Sequence, residues 1–264
     1  YKIDTAETGT RHKTAERTAK QTGNLVISIS QRRSIITVYK GNIKYVLEET
    51  SRILTKANQA LQTVEKYKKV FDNKINLLNE YEFNDIVTLD NVLTALQRAE
   101  MTMRMAEEVK KRIIELGVEG RLVDIQLDEL IGGLEKKKKF LIKDYIAPGK
   151  KRTVEKVFNQ ILELEYESLM KQSVIANLLG YEDFDNYDEV AVYPKGYRLL
   201  NKIPRMPNNI VENLIKSFKT FQHILLADIQ ALDDVEGIGE IRAKNIKQSL
   251  KRMQEQYVFD NVML

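Results

Sequence analysis

The chain has 264 residues, 43% of them hydrophobic and 30% charged, with no cysteine, two histidines (His12 and His223) and a formal net charge of +4. This composition excludes a disordered chain, a disulfide scaffold and thiolate metal sites, and it argues against a His-rich metal centre or a Ser-His-Asp triad. No apolar run approaches about 18 residues and no basic-then-apolar leader opens the chain, so no membrane partner and a cytoplasmic location are expected.

The charge is unevenly spread. Residues 1–47 carry nine basic against three acidic side chains, residues 48–194 carry 22 against 27, and residues 195–264 carry 11 against eight. Two basic ends on an acidic middle suggest two anion-binding modules held apart.

Taken in order, the first notable stretch is Thr8-Gly9-Thr10-Arg11-His12-Lys13-Thr14. Gly9 lets a ligand approach the backbone, and the Ala, Glu, Arg and Lys that follow favour a helix whose first N–H groups lack internal partners. Arg11, His12, Lys13 and three threonine hydroxyls cluster at that end, where the helix dipole is positive, so the stretch reads as a phosphate site. A capped basic surface helix accounts for the same spacing, because no Gly-rich phosphate-loop pattern is present.

Residues 25–30 and 34–39 alternate or run β-branched across Gln31-Arg32-Arg33, which predicts two strands after the helix. One helix and two strands cannot bury enough apolar surface to stand alone, and the chain opens on Tyr1, so a truncation at the N-terminus is expected. From about Leu47 the period becomes helical. Leu54, Ala57, Leu61, Val64, Phe71, Ile75 and Leu78 mark one long amphipathic helix, and residues 85–116 a second with stop signals at Gly117 and Gly120. A third helix is expected over residues 122–145, with a weak point at Gly132-Gly133, and a fourth from a Thr153 cap toward Met170. Met101, Met103 and Met105 read as core filler, the Lys136–Lys139 run as a solvated helix face, and residues 181–194 as an acidic linker.

The last segment contains an internal repeat. Leu200-Asn-Lys-Ile-Pro-Arg-Met-Pro overlays Leu232-Asp-Asp-Val-Glu-Gly-Ile-Gly at an offset of 32 residues, each copy reading as helix, tight turn and helix. Gly237-Ile238-Gly239, followed by Ala243, resembles the helix-hairpin-helix DNA-binding motif. Its glycines let backbone N–H groups face a DNA phosphate at a helix start, and Arg242, Lys244 and Lys247 add charge. Pro204, Arg205 and Pro207 replace the glycines in the first copy, so that turn is expected to bind phosphate less well and to act as a structural partner.

Gly9-Thr10-Arg11-His12-Lys13-Thr14-Ala15-Glu16-Arg17, with Val26-Ile27-Ser28-Ile29-Ser30-Gln31-Arg32-Arg33, closely resembles the second signature of bacterial diadenylate cyclases of the DNA-integrity-scanning (DisA) family, and the likeness continues to the C-terminus. It implies that two ATP molecules condense to cyclic di-AMP, with Thr10, Arg11, His12, Lys13 and Thr14 holding the triphosphate and Ser30, Arg32 and Arg33 completing the site. Arg11 and His12 are the catalytic candidates. Lys13 stands where the family carries arginine, which replaces a planar fork by a point charge. The resemblance also implies Mg²⁺ or Mn²⁺ on an upstream Asp-Gly-Ala motif. These 264 residues contain none, so the fragment is expected to be inactive alone. It further implies branched or recombining DNA as the C-terminal partner, association with the nucleoid, and a homo-octamer whose sites are shared between facing cyclase domains. The expected architecture is mainly α: a partial α/β nucleotide-binding domain (1–47), a helical spine (48–194) and a tandem helix-hairpin-helix domain (195–264). A non-catalytic DNA-binding scaffold is the alternative reading.

Overall fold

The computed structural model describes residues 3–31, 35–147, 152–182 and 184–259. It is mainly helical with one small sheet, and it folds as two compact units, residues 1–63 with 106–129 and residues 64–105 with 130–264.

In the first unit, α1 (Thr10–Thr22) ends on Gly23, whose φ of 71° is left-handed and whose N–H donates to the Ala19 carbonyl. Glycine takes that conformation without a Cβ clash. The chain then forms β1 (Leu25–Ser30), β2 (Ile35–Lys40) and β3 (Ile43–Leu47), antiparallel in that order. The third strand corrects the expectation of two. Lys40 pairs with Ile43 across Gly41-Asn42, and Gly41 has a φ of 56°, so a two-residue hairpin continues the sheet. Strand side chains alternate between faces. Ser28, Thr37 and Tyr39 share one face and are buried, together with Ala19 of α1, whereas Leu25, Ile27, Ile29 and Ile43 on the other face are 58–70% exposed.

The helical period is borne out by α2 (Thr50–Asn84) and α3 (Leu89–Leu116), with Ile53, Ala57, Val64, Phe71, Ile75 and Leu78 buried at spacings of three, four and seven residues along α2. Gly117, at a φ of 56°, ends α3, and a 3-10 turn leads into α4 (Arg121–Ile131). The single helix expected over 122–145 is broken: Gly133 adopts a φ of 74° and α5 (Leu134–Tyr145) starts anew. Thr153 does cap α6 (Val154–Leu162), its Oγ1 accepting the Lys156 N–H at 3.2 Å, and the chain continues through α7 (Tyr166–Met170) and α8 (Gln172–Leu179).

Residues 181–194 are not a free linker. Val190 and Val192 exchange backbone hydrogen bonds with Leu89 and Val87, at 2.8 and 3.1 Å, and Val192 is buried. Tyr181 and Tyr187 pack on the core that also holds Phe71, Leu93, Leu141 and Val157. Then follow α9 (Tyr197–Leu200), α10 (Asn208–Phe218), α11 (Phe221–Leu226), α12 (Ile229–Asp233) and α13 (Glu240–Phe259). A second core in this unit gathers Leu200, Leu214, Phe221, Ile246 and Leu250, with Phe83 edge-on to Phe221 at 5.3 Å.

The lysine run is not a uniformly solvated face. Lys138 is fully buried, its Nζ 2.5 Å from Glu100 Oε2, which is also fully buried, and 4.2 Å from the centre of the Phe158 ring. Its exposed neighbours are paired as well, Lys137 with Asp72 and Lys139 with Glu135. No helix among the described residues is long and apolar enough to cross a membrane.

A buried polar joint ties α5 to the segment before α9. Asp144 accepts the N–H groups of Gly196, Tyr197 and Arg198 at 2.9, 2.6 and 3.0 Å, which caps that short helix. Arg198 in turn pairs with Glu82 at 2.5 Å and Tyr145 donates to Glu82 at the same distance. Burial, reinforced by the charge of Glu82 and opposed by Arg198 and the N–H donors, pushes Asp144 up to about 7. The folded form therefore binds a proton more readily than the unfolded chain, so this group's contribution is complete below the ordinary aspartate range and is lost as pH rises through about 7. Asp144→Asn is expected to remove that decline. Urea unfolding of both proteins across this pH range checks it, and parallel stability profiles would contradict it.

Candidate functional site

The N-terminus of α1 is open. Gly9 caps it with φ −97° and ψ 140°, no side chain caps the helix, and its first turn holds no acidic residue. A Cβ at Gly9 would meet nothing within 4 Å, so an incoming group can reach the backbone. The first N–H groups of a helix point outward without internal partners, and Thr10, Arg11, His12 and Lys13 surround them. Among the described residues no hydrogen bond or ion pair engages the side chains of Arg11 or Lys13. Thr14 is different: its hydroxyl donates to the Thr10 carbonyl at 2.9 Å, so its proton is spent within the helix. The basic residues further along are committed too, with Arg17 on the Ile3 carbonyl and Lys20 on the Asp4 carbonyl, both at 3.0 Å.

Chain geometry brings Ser30 to the same end. An α1 of 13 residues and a β1 of six, joined by a reversal at Gly23-Asn24, each span about 20 Å, so β1 returns level with the start of α1. Ser30 lies on the strand face of Ser28, the face packed on α1, and is half-buried. Arg32 and Arg33 lie outside the described residues.

Two residues that the sequence pattern did not single out stand in this region. Glu7 accepts from the Tyr39 hydroxyl at 2.9 Å and pairs with Lys44 of β3. The Lys44 hydrogen bond holds Glu7 below the usual carboxylate range against the effect of burial, and Tyr39 and the nearby charge of His12 act in the same direction. Burial, with Glu7 next, raises the Tyr39 hydroxyl above its ordinary range. Lys44 went unnoticed because β3 did. Among the described residues no group of three or more His, Cys, Asp or Glu side chains could hold a metal ion. None of them therefore offers a donor set for the metal that the resemblance places on an upstream motif.

At the other end of the chain the two copies of the repeat match in backbone. Arg205 and Gly237, 32 positions apart, both adopt positive φ, 57° and 83°. Equivalent turn hydrogen bonds run from the Ile203 N–H to the Leu200 carbonyl and from the Val235 N–H to the Leu232 carbonyl, at 3.1 and 3.3 Å. Leu200 and Leu232, Val211 and Ala243, and Leu214 and Ile246 occupy equivalent buried positions. Gly237 is doubly required, since a Cβ there would stand 2.7 Å from Ile210 Cδ1 in addition to the unfavourable φ. Gly239 faces open space, where a Cβ would meet nothing within 4 Å. Its carbonyl accepts the Ala243 N–H at 2.9 Å and so starts α13.

The remaining candidates separate. Ile238 is buried and packs in the core beneath the turn. Arg242 donates to the Gly237 carbonyl, which braces the turn while its side chain stays exposed. Lys244 is exposed and paired with Glu240 at 2.5 Å. Lys247 has a structural partner in place of an open position: its Nζ donates to the Leu225 and Ala227 carbonyls at 2.7 and 2.6 Å, closing the end of α11.

Comparison with known proteins covers nearly the whole chain. The family model for the DisA bacterial checkpoint controller nucleotide-binding region matches residues 2–43, and that for the DisA bacterial checkpoint controller linker region matches residues 47–187. The chain is 52% identical over 259 residues to the DNA integrity scanning protein DisA of Acetivibrio thermocellus, covering 98% of this chain and 72% of that protein. It is 51% identical over 260 residues to that of Clostridium botulinum strain Loch Maree (98% and 73%), and 49% identical over 261 residues to that of Clostridioides difficile (98% and 72%). The chain belongs to the DisA family, with its nucleotide-binding region matched over residues 2–43 and its linker region over residues 47–187.

Proposed function

We propose that the protein acts in diadenylate cyclisation, with the start of α1 as the triphosphate cradle of one ATP. The observation that carries this reading is an uncapped, acid-free helix start ringed by Thr10, Arg11, His12 and Lys13, within the segment matched by the nucleotide-binding family. In the reaction each ATP presents its 3′ hydroxyl to the α-phosphate of the other. Two P–O bonds form, two break, and two pyrophosphates leave. The helix N–H groups and Arg11 hold charge that grows on the leaving pyrophosphate, so their contribution is larger in the transition state than in the bound substrate. Lys13 adds a point charge, His12 and the hydroxyls of Thr10 and Ser30 add donors, and Thr14 serves the helix. Arg32 and Arg33 complete the cradle by family likeness. The two facing nucleotides require two chains, in line with an octameric assembly.

We further propose the division into a nucleotide-binding part (1–47), a spine (48–194) and a DNA-binding part (195–264), the first two supported by the family matches at 2–43 and 47–187. In the third, the matched turns support a tandem helix-hairpin-helix reading. Gly239 and the first N–H groups of α13 would take a DNA phosphate, with Arg242 and Lys244 alongside, and branched DNA would lower cyclase output. Lys247 is left out of the contact.

Gly239→Val is the clean test, because Gly237→Val would also disturb Ile210. Phosphate contact without base readout predicts salt-sensitive binding of any duplex, with Kd about 10⁻⁴ to 10⁻⁶ M near physiological salt. Gly239→Val is expected to weaken it about tenfold or more with helicity unchanged, since losing one charge-assisted contact costs roughly 1.5–3 kcal/mol. Unchanged fluorescence anisotropy would remove the turn from the interface.

A further inference from the structure

The two turns of the repeat border a groove of about 920 Å³, near the upper end of the roughly 300–1,000 Å³ of small-molecule sites. Its rim carries Arg205 from the first turn and Arg242 and Arg252 from α13, all exposed. Arg242, Asn245, Ser249 and Arg252 recur at three- and four-residue steps, which sets them along one side of α13. The one acid in the lining is Glu240, already paired with Lys244. The lining also includes apolar Ile203 and Ile246, both buried, with Met206 half-buried beside them. Ile241 belongs to it too and is 80% exposed, a large apolar side chain held in water on the first turn of α13.

Three exposed guanidinium groups without an acidic partner among the described residues, Arg242 also holding the Gly237 carbonyl, stand around an apolar floor and match a phosphodiester chain that carries flat apolar groups. A duplex presents its phosphates outward and its base faces stacked, so it can lie across the opening without using the floor. A single strand can lower bases onto Ile241 and the floor while its phosphates meet the arginines, which also stack on bases. We propose that this groove receives an unpaired nucleic-acid strand beside the duplex phosphate site at Gly239, so that a duplex with a single-stranded arm binds more tightly than a blunt one. The first turn is then part of the binding surface rather than only a structural partner. This deepens the DNA reading given above and rests on it.

The test uses the full 264-residue chain and three labelled probes at one salt concentration: a blunt duplex, the same duplex with an unpaired arm, and the arm alone. The parent is expected to bind the armed duplex about five- to tenfold more tightly than the blunt one, the low end of what one stacked base supplies. Ile241→Ser and Arg252→Gln, both at exposed positions and checked for unchanged helicity, are expected to erase that preference and weaken the arm alone while leaving the blunt duplex within twofold. Equal affinity of the parent for armed and blunt duplexes, or variants that weaken both equally, would overturn the proposal. Failure of the duplex reading shows separately, as a Gly239→Val variant with unchanged affinity for the blunt duplex. The groove is then judged on the arm alone, and binding that persists in both variants overturns it.

Discussion

Replacing Lys138 by alanine is expected to lower the folding stability of the second unit by about 3–5 kcal/mol, the range for removing one partner of a buried ion pair. The ammonium is fully buried between Glu100, at 2.5 Å, and the Phe158 ring. Without it Glu100 keeps only Arg104, at 2.7 Å, whose guanidinium also serves the Ile161, Leu162 and Leu164 carbonyls. A buried carboxylate then loses half its compensation and the ring loses its cation. Lys139→Ala, one residue on, removes an exposed pair with Glu135 and is expected to cost less than about 1 kcal/mol. Urea unfolding of the two variants decides the matter, and equal costs would show that the pair adds nothing beyond a surface bridge. Adding Glu100→Gln to Lys138→Met is expected to recover part of the loss, because no buried charge remains without its partner.

Arg11→Ala is expected to weaken ATP binding by about ten- to 150-fold, corresponding to a charge-assisted contact of roughly 1.5–3 kcal/mol. Arg11 is exposed on the first turn of α1 and no other described side chain competes for it, so truncation removes charge without disturbing the fold. Lys13→Arg is expected to be tolerated or to improve binding, since it turns a point charge into a fork. Arg17→Ala makes a useful contrast: its Nε is held by the Ile3 carbonyl at 3.0 Å, so its loss should loosen the N-terminal segment and leave the phosphate contact largely in place. Calorimetric titration with ATP separates the three. An Arg11→Ala chain that binds ATP like the parent would move the site elsewhere.

Periodicity revealed what depends on neighbours in sequence. The helix after Gly9, the strands around Val26 and Val38, the long helices through Phe71 and Leu93, the Thr153 cap and the repeat around Gly237 are local patterns, and the structure contains each of them. The third strand was also readable, since Gly41-Asn42 between β-rich runs is a hairpin signal, but Ile43-Lys44-Tyr45 runs into a helical pattern that masked it. Charges buried with distant partners could not be read this way. Lys138 finds Glu100 38 positions away, Arg198 finds Asn79 119 away, and Asp144 caps a helix 52 positions on. In a lysine run or an acidic stretch nothing local distinguishes the buried member from the solvated ones. The same holds for Lys247, whose carbonyl partners lie 20 and 22 residues back, and for residues 181–194, whose acidic composition hid the valines that pair with Val87 and Leu89. Within the proposed phosphate site, the residue types at Thr10–Lys13 were legible. The hydrogen bond from the Thr14 hydroxyl to the Thr10 carbonyl, and the roles of Glu7 and Lys44, depend on how α1 and β3 are held.

The most direct test of the nucleotide reading is a mass-spectrometric assay for cyclic di-AMP after incubation with ATP and Mg²⁺ or Mn²⁺, applied to these 264 residues, to a longer chain bearing an upstream Asp-Gly-Ala segment, and to that longer chain with Arg11→Ala. On the proposed reading these residues contribute phosphate donors, no group among those described could hold a metal ion, and misplacement of reacting groups by even about 1 Å can cost a hundredfold in rate. The expected result is product from the longer chain alone, with Arg11→Ala removing most of it. Robust product from the 264 residues by themselves, or unchanged turnover in the Arg11→Ala longer chain, would contradict the assignment of the start of α1 as the triphosphate site.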